Sequence, residues 1–304
     1  MRTVLFILFL VAASIFADDA YHESVSVEAV NIFALAKDGN GKLVPDLHRD
    51  EFTVLENGIS QSILDVSNFA KDKSSNLSGK DVPLSITFAL DISASMASTL
   101  ENKKRIEVAK SAILMLMDEL NSQDKMMLVS FSRYPKILTS MTSNKQEVED
   151  LLLVQRPSDE KTAIYDSLSD VLDQMKDSTG TKILVLCTDG EDNSSKTTFD
   201  TFLNKISGMD VLVLAFSIPS GEENPQQRYE ISKIAERTGG YAFFPQNMGE
   251  LKNILTQIRK AMRNQYSIWY RPTNSTKDGH WRSIQILCSR PGIELYHRPG
   301  YFAR

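Results

Sequence analysis

The sequence predicts an α/β protein with a doubly wound, mostly parallel sheet, a small N-terminal β-domain and a C-terminal β-hairpin extension. Two observations predict this fold class. From residue 84 to residue 263, short apolar runs alternate with amphipathic helical segments, which is typical of strands covered by helices on both faces. The segments on either side alternate apolar with polar residues between turn signals, which is typical of antiparallel strands.

Residues 1–17, MRTVLFILFLVAASIFA, predict a secretory signal peptide. One positive charge, Arg2, precedes an uncharged apolar run that contains small residues near its end, and we expect cleavage near Ala17. A membrane anchor is the competing interpretation, but a spanning helix needs about 20 apolar residues, and the run from Thr3 to Ala17 is shorter. We therefore expect a secreted or periplasmic protein with no transmembrane anchor after signal cleavage.

The composition is that of a folded globular protein. Of 304 residues, 42% are hydrophobic and 24% charged, and the formal net charge is −5. Lys and Arg are scattered along the chain rather than gathered in a basic patch, which argues against a nucleic-acid partner. The two cysteines, Cys187 and Cys288, end apolar strands in different predicted sheets. Because a disulfide needs Cα atoms within about 7 Å, we expect both thiols to stay unpaired.

The segments that flank the central region predict β-structure. Residues 24–69 form the small β-domain, with Asn57-Gly58 as a hairpin turn. Its predicted strands lie near 25–36, 50–55 and 60–69. Residues 70–83 contain few apolar side chains and are predicted to be a linker. In the extension, 264–304, we expect QYSIWYRP and HWRSIQILC to pair as a hairpin and IELYHRPGYFA to form one more strand.

The central region, 84–263, alternates strands with helices. Its predicted strands are LSITFAL, MMLVSFS, the edge strand KILTSM, KILVLC, DVLVLAFSI and YAFF. The first helix presents one apolar face at steps of three and four, which consists of Ile106, Ala109, Ile113, Leu116 and Leu120. Asn144 is the expected N-cap of NKQEVEDLLL. Further helices are predicted in TAIYDSLSDVLDQM, near 197–207, in QQRYEISKIAERT before Gly239-Gly240, and in MGELKNILTQIRKAM.

Oxygen-bearing side chains gather where strands of this region end. Asp91, Ser93 and Ser95 follow the first strand, Asp189 follows another, and Thr162 opens a helix. In doubly wound sheets these positions share the edge at which ligands bind. Carboxylates and hydroxyls without His or Cys form a hard site that suits Mg²⁺ or Mn²⁺. The alternatives are local: turn and capping hydrogen bonds for the Asp and Ser residues, an N-cap role for Thr162, and an ordinary turn at Asp189.

The ordered set of these motifs, DISAS, EKTAIYD and LCTDG, resembles the von Willebrand factor type A domain with its metal-ion-dependent adhesion site. The resemblance covers 84–263 and implies that one divalent cation is shared by Asp91, Ser93, Ser95, Thr162 and Asp189. Relatives often have Gly-Gly before the threonine, whereas this chain has Glu160-Lys161. The flanks, including VPDLHRDEFTVLENG and WYRPTNSTKDGHW, resemble those of exported bacterial proteins with a type A-related domain.

The resemblance implies a metal-dependent, adhesion-type protein-binding module whose protein partner supplies an acidic side chain to the cation. A purely structural or assembly protein with a non-functional metal site is the alternative. A Mg²⁺-dependent phosphoryl-transfer enzyme is a weaker one, because Ser93 stands where a second Asp is usually needed. A serine hydrolase is disfavoured, since Gly-x-Ser-x-Gly is absent and the four histidines, His22, His48, His280 and His297, lie outside the α/β region. We expect no catalytic residues.

Overall fold

The structure, a computed structural model, describes residues 29–68, 83–218, 224–245 and 247–303. The predicted signal peptide lies outside these residues, as does the predicted linker apart from Pro83. In the described ranges, no helix has the length and apolar character needed to cross a membrane.

The elements follow the predicted order, except that residues 99–104 add two short strands that were not predicted and IELYHRPGYFA forms two strands where one was predicted. In chain order, the strands are β1 (Val30–Asp38), β2 (Phe52–Glu56), β3 (Ile59–Asn68), β4 (Leu84–Asp91), β5 (Thr99–Leu100), β6 (Lys103–Lys104), β7 (Lys125–Phe131), β8 (Pro135–Ile137), β9 (Thr181–Thr188), β10 (Leu212–Ser217), β11 (Tyr241–Phe243), β12 (Tyr266–Arg271), β13 (Trp281–Cys288), β14 (Ile293–His297) and β15 (Gly300–Phe302). The α-helices are α1 (Arg105–Met117), α2 (Lys145–Leu153), α3 (Ile164–Met175), α4 (Phe199–Ser207), α5 (Pro225–Glu236) and α6 (Met248–Arg263). Two short 3-10 helices cover Arg49–Glu51 and Ala94–Ala97.

The central region forms the predicted doubly wound sheet. In the described part of the chain, six strands lie in the order β11-β10-β9-β4-β7-β8, all parallel except the antiparallel edge strand β8. Every residue of β4 is buried. Alternate side chains of β9 enter different cores: Ile183 and Val185 on one face, Leu184 and Leu186 on the other. The predicted α/β fold class is confirmed.

Helices cover both faces of this sheet. Helices α1, α2 and α6 pack on one core, and α3, α4 and α5 pack on the other. The predicted apolar face of α1 is buried along its whole length. Asn144 caps α2 as predicted, since its side chain accepts a hydrogen bond from the backbone N–H of Glu147 at 3.3 Å.

The flanking segments form one sheet together. Among the described residues, seven strands lie in the order β14-β1-β12-β3-β2-β13-β15, so that β12 sits between β1 and β3. This pairing replaces the hairpin predicted for the C-terminal extension, because β3 and β2 separate β12 from β13. The physical reason is burial: Tyr266, Ile268 and Tyr270 of β12 share one core with Ile32 of β1 and Val54 of β2.

The seven-stranded sheet meets the α/β domain at the end of the six-stranded sheet where strands β10 and β11 begin. Gly239 has a φ of +78°, and an added Cβ there would lie 2.7–2.8 Å from backbone atoms of His297 and Arg298. The rings of Tyr241 and Tyr296 are 4.5 Å apart, centroid to centroid. The seven-stranded sheet therefore contacts the α/β domain at the edge opposite to the carboxyl ends of its parallel strands.

The two cysteines lie in different sheets, Cys187 at β9 and Cys288 at the end of β13, and both are free in the part of the chain that the structure describes. Their placement in different sheets, on which the expectation of unpaired thiols rests, is as predicted.

Candidate metal centre

The loop after β4 places three of the predicted site residues together. Asp91 is the last residue of β4 and is fully buried. Its Oδ1 accepts a hydrogen bond from the backbone N–H of Ser93 at 2.8 Å, which turns the chain sharply after the strand. The Oγ atoms of Ser93 and Ser95 are 3.0 Å apart. Ser93 is buried whereas Ser95 is exposed, so the group opens to solvent on the Ser95 side.

The other two predicted residues reach the same place from different elements. Ser95 Oγ donates a hydrogen bond to Oδ1 of Asp189, which follows β9, at 2.7 Å. A Cβ built on Gly190 would lie 3.8 Å from Thr162 Oγ1, and 3.9 Å from both Asp91 Oδ2 and Ser95 Oγ. Oxygens from three separate segments thus lie within 4 Å of one point, which is the position that a Cβ at residue 190 would occupy. The structure brings all five predicted residues together.

The loop that carries Thr162 is held in place by side-chain hydrogen bonds. The backbone N–H of Thr162 donates to Asn193 Oδ1 at 2.8 Å, and the N–H of Lys161 donates to Asp159 Oδ1 at 3.0 Å. The carbonyl of Asp159 accepts from the N–H of Ala94 at 2.6 Å, which ties this loop to the Ser93–Ser95 segment. Glu160-Lys161, in place of the more common Gly-Gly, is therefore compatible with a Thr162 hydroxyl that faces the site.

The local alternatives explain only part of this arrangement. Ala163, not Thr162, is the N-cap of α3, and Ser93 makes no side-chain capping bond to the 3-10 helix that follows it. The bond from Ser93 N–H to Asp91 is an ordinary turn contact. Local capping does not account for the hydrogen bond that the exposed Ser95 donates to Asp189. It also does not explain why the Thr162 hydroxyl faces the same group.

The two carboxylates have different electrostatic surroundings. Burial raises the pKa of Asp91 to about 6, against hydrogen bonds from Ser93 and Thr188 that lower it, while the charge of Asp189 raises it further. Thr188 Oγ1 donates to Asp91 Oδ2 at 2.6 Å. Asp189 instead has a cationic partner, since Arg105 Nη1 lies 2.7 Å from its Oδ2. The pair is buried, with exposed side-chain fractions of 8% and 0%.

Sequence reasoning missed Arg105 and Thr188. Thr188 directly precedes Asp189, and a polar residue directly after the apolar run KILVLC is a usable signal. Arg105 precedes the first apolar position of α1, where a charged residue is unremarkable in the sequence alone. Its role follows only from the fold, which sets the start of α1 beside the end of β9.

The donor set of this group suits a hard divalent cation. Carboxylate and hydroxyl oxygens, with neither nitrogen nor sulfur, are the ligands that Mg²⁺ and Mn²⁺ take in proteins. Among the described residues, no three His, Cys, Asp or Glu side chains are gathered as a metal-binding cluster. The group has two carboxylates and depends on Ser93, Ser95 and Thr162 for its further oxygens.

The fold agrees with the comparisons with known proteins. A family model described as the von Willebrand factor type A domain matches residues 86–191. The predicted family resemblance is confirmed over these residues of the α/β unit. No curated protein matches the chain.

Solved structures with a similar fold include two from very different sources. The conserved hypothetical protein BatB from Bacteroides thetaiotaomicron is 20% identical, with 60% of this chain and 100% of that one covered and a TM-score of 0.50. Proximal thread matrix protein 1 from the mussel byssus is 20% identical, with 62% and 48% covered and a TM-score of 0.51. This chain thus spans about half of the mussel protein's length. A further structure of that mussel protein, at a TM-score of 0.50, has a zinc-occupied MIDAS motif.

Proposed function

We propose that this protein is an exported, metal-dependent protein-binding module of the adhesion type. The observation that carries the proposal is the convergence of Asp91, Ser95 and Thr162 oxygens on one point at the solvent-facing edge of the sheet. The zinc-occupied MIDAS motif of the mussel protein, which has the same fold, supports a cation at this edge. The seven-stranded sheet lies at the opposite edge, so it leaves the proposed site free for a partner.

Asp91, Ser93, Ser95, Thr162 and Asp189 would hold one Mg²⁺ or Mn²⁺. When bound, the cation supplies an electrophilic position for an oxygen ligand, and an acidic side chain of the partner protein is the ligand that suits it. The chain's own residues orient the group: Thr188 and the Ser93 N–H fix Asp91, and Ser95 fixes one oxygen of Asp189. The buried Asp91 and the exposed Ser95 direct the open side of the site outward.

An enzymatic role has less support than binding. Between residues 84 and 263 the chain contains no histidine, so no imidazole base is available to activate Ser93 or Ser95. The Ser95 hydroxyl already donates a hydrogen bond to Asp189. Ser93 stands where a phosphatase of the aspartate type would need its general acid. We therefore infer a binding role and no catalytic residues.

Export is part of the proposal and is tested separately. It rests on the short apolar run that follows Arg2, with a mature chain that starts near Asp18. Intact-mass analysis of the protein from the extracellular or periplasmic fraction should give the mass of the chain without residues 1–17. Recovery of the uncleaved chain in a membrane fraction would contradict this.

The binding role is tested by affinity capture from the exported fraction of the source organism. Wild type and Asp91→Asn serve as baits, with Asp118→Asn as a control that removes an exposed carboxylate at the end of α1. We expect wild type and Asp118→Asn to retain the same partner in Mg²⁺, to release it in chelator, and to recover it when Mg²⁺ returns. Asp91→Asn should capture nothing above background. Capture by wild type that chelator leaves unchanged would favour the structural alternative.

A further inference from the structure

Arg105 is a buried cation inside the candidate metal centre. The residue is 6% exposed, and its Nη1 lies 2.7 Å from Asp189 Oδ2 and 3.3 Å from the carbonyl oxygen of Ser95. The other oxygen of the same carboxylate, Oδ1, accepts the hydrogen bond from Ser95 Oγ. Any cation that binds through Asp189 therefore shares that carboxylate with a guanidinium group.

The guanidinium depends on Asp189 for its charge balance. Arg105 Nε has no hydrogen-bond partner among the described residues, so the ion pair with Asp189 is what offsets the burial of the charge. Lys110, the other buried cation of α1, differs because its Nζ donates to Glu107 and to the carbonyl of Leu153, away from the site. The charge of Arg105 thus belongs to the site.

This contact changes the net charge of the metal centre. Asp91 and Asp189 alone would be neutralised by one divalent cation, and the filled centre would carry no net charge. With Arg105 included, the centre carries −1 without a cation and +1 with one. A net positive centre attracts an anionic oxygen ligand more strongly than a neutral one. The same charge repels the incoming cation and weakens its binding.

We propose that Arg105 is a resident counter-ion of the metal centre: it holds Asp189 in position when no metal is bound, and it gives the filled centre the positive charge that selects an anionic ligand. This inference rests on the proposed function. It predicts that removal of the guanidinium strengthens cation binding and weakens anion binding. A role limited to anchoring α1 predicts weaker cation binding, so the direction of the change separates the two.

The experiment compares wild type with Arg105→Met, which keeps the apolar stem without the charge, and with Arg105→Lys, which restores a positive charge. Lys110→Met is the matched control, because it removes a buried cation from the same helix outside the site. Isothermal titration with Mn²⁺ at pH 8 measures cation affinity. Water-proton relaxation of the Mn²⁺-loaded proteins, titrated with acetate, measures displacement of metal-bound water by a carboxylate.

We expect Arg105→Met to bind Mn²⁺ at least about tenfold more tightly than wild type. In wild type the guanidinium and the Mn²⁺ contact the same carboxylate, and the two positive charges repel each other strongly. Its acetate affinity should fall about tenfold, on the same electrostatic argument. Arg105→Lys and Lys110→Met should both stay close to wild type. In chelator, Arg105→Met should melt at a lower temperature than wild type, and Mn²⁺ should restore it.

The outcomes are distinguishable. Wild type that binds no Mn²⁺ refutes the proposed function and this inference together. Wild type that binds Mn²⁺ while Arg105→Met binds it equally or more weakly overturns this inference alone, as does unchanged acetate affinity. If Arg105→Met folds only with Mn²⁺ present, the inference is supported, because the cation replaces the guanidinium. If it stays unfolded at saturating Mn²⁺, the inference fails.

Discussion

Asp91 and Asp189 should differ in their effects on stability although both are proposed metal ligands. Asp91 is a buried carboxylate without a cationic partner in its described hydrogen bonds, which come from Ser93 and Thr188. Asp189 is paired with the buried Arg105. We therefore expect Asp91→Asn to stabilise the metal-free protein and Asp189→Asn to destabilise it, while both variants lose cation binding.

The magnitudes follow from burial and charge. A rise in the pKa of Asp91 from 3.8 to about 6 means that the ionised carboxylate lowers the unfolding free energy by about 3 kcal/mol. Because the folded pKa is the higher one, this cost is absent below pH 3.8, grows as the pH rises, and is complete above pH 6. Asp91→Asn removes it at pH 7.5. Asp189→Asn leaves Arg105 buried without a carboxylate, which should cost about 3 kcal/mol.

Urea denaturation at pH 7.5 in chelator measures both effects. Repeating it at pH 4 separates them, because Asp91 is then protonated in the folded state and the gain from Asp91→Asn should nearly vanish. Circular dichroism should show the same helix content in both variants. A destabilised Asp91→Asn, or an Asp189→Asn as stable as wild type, would refute the assigned roles of burial and of the Arg105 pair.

Three further predictions concern the rest of the molecule. Gly239→Ala should lower the unfolding free energy by more than about 1 kcal/mol, because the added Cβ meets backbone at 2.7–2.8 Å in a positive-φ conformation. Gly58→Ala, at a similar φ in open space, is its control in thermal melts; equal losses would contradict the contact argument. Burial lowers the pKa of His297, whose Nε2 accepts a backbone N–H. Stability should therefore be complete above pH 6.5 and fall as the pH drops through the folded pKa, and His297→Gln should flatten that fall relative to wild type. Thiol titration should find two free thiols in denaturant; in the native protein Cys187, whose pKa burial raises to about 12, should not react. A titration that finds none in denaturant would show a disulfide.

The central domain was largely predictable from the sequence because its signals are local. The apolar run of β4 and the helical spacing from Ile106 to Leu120 each identify their own element. Asp91, Ser93, Ser95 and Asp189 lie at or just after the ends of strands, and parallel strands bring their carboxyl ends to one edge of the sheet. The proposed site residues could thus be selected before their distances were known.

The pairing of the flanking strands and the role of Arg105 were not predictable in this way. Strand β12 follows α6 directly yet inserts between β1 and β3, more than 190 residues earlier in the chain. Its core-facing residues, Tyr266, Ile268 and Tyr270, stand at alternate positions, which is the same pattern in a hairpin and in this sheet. Likewise, a charged residue at the start of α1 does not indicate an ion pair with Asp189, which is 84 positions away. Both depend on long-range contacts that no local pattern encodes.

Anomalous diffraction from crystals grown with Mn²⁺ is the most direct test of whether one divalent cation is held by Asp91, Ser93, Ser95, Thr162 and Asp189. We expect one strong anomalous peak among these five side chains, beside Gly190 and opposite to the seven-stranded sheet. The peak should be absent from crystals of Asp91→Asn grown in the same way. A wild-type map at saturating Mn²⁺ with no peak there, or with its strongest peak at other residues, would rule out the proposed metal centre.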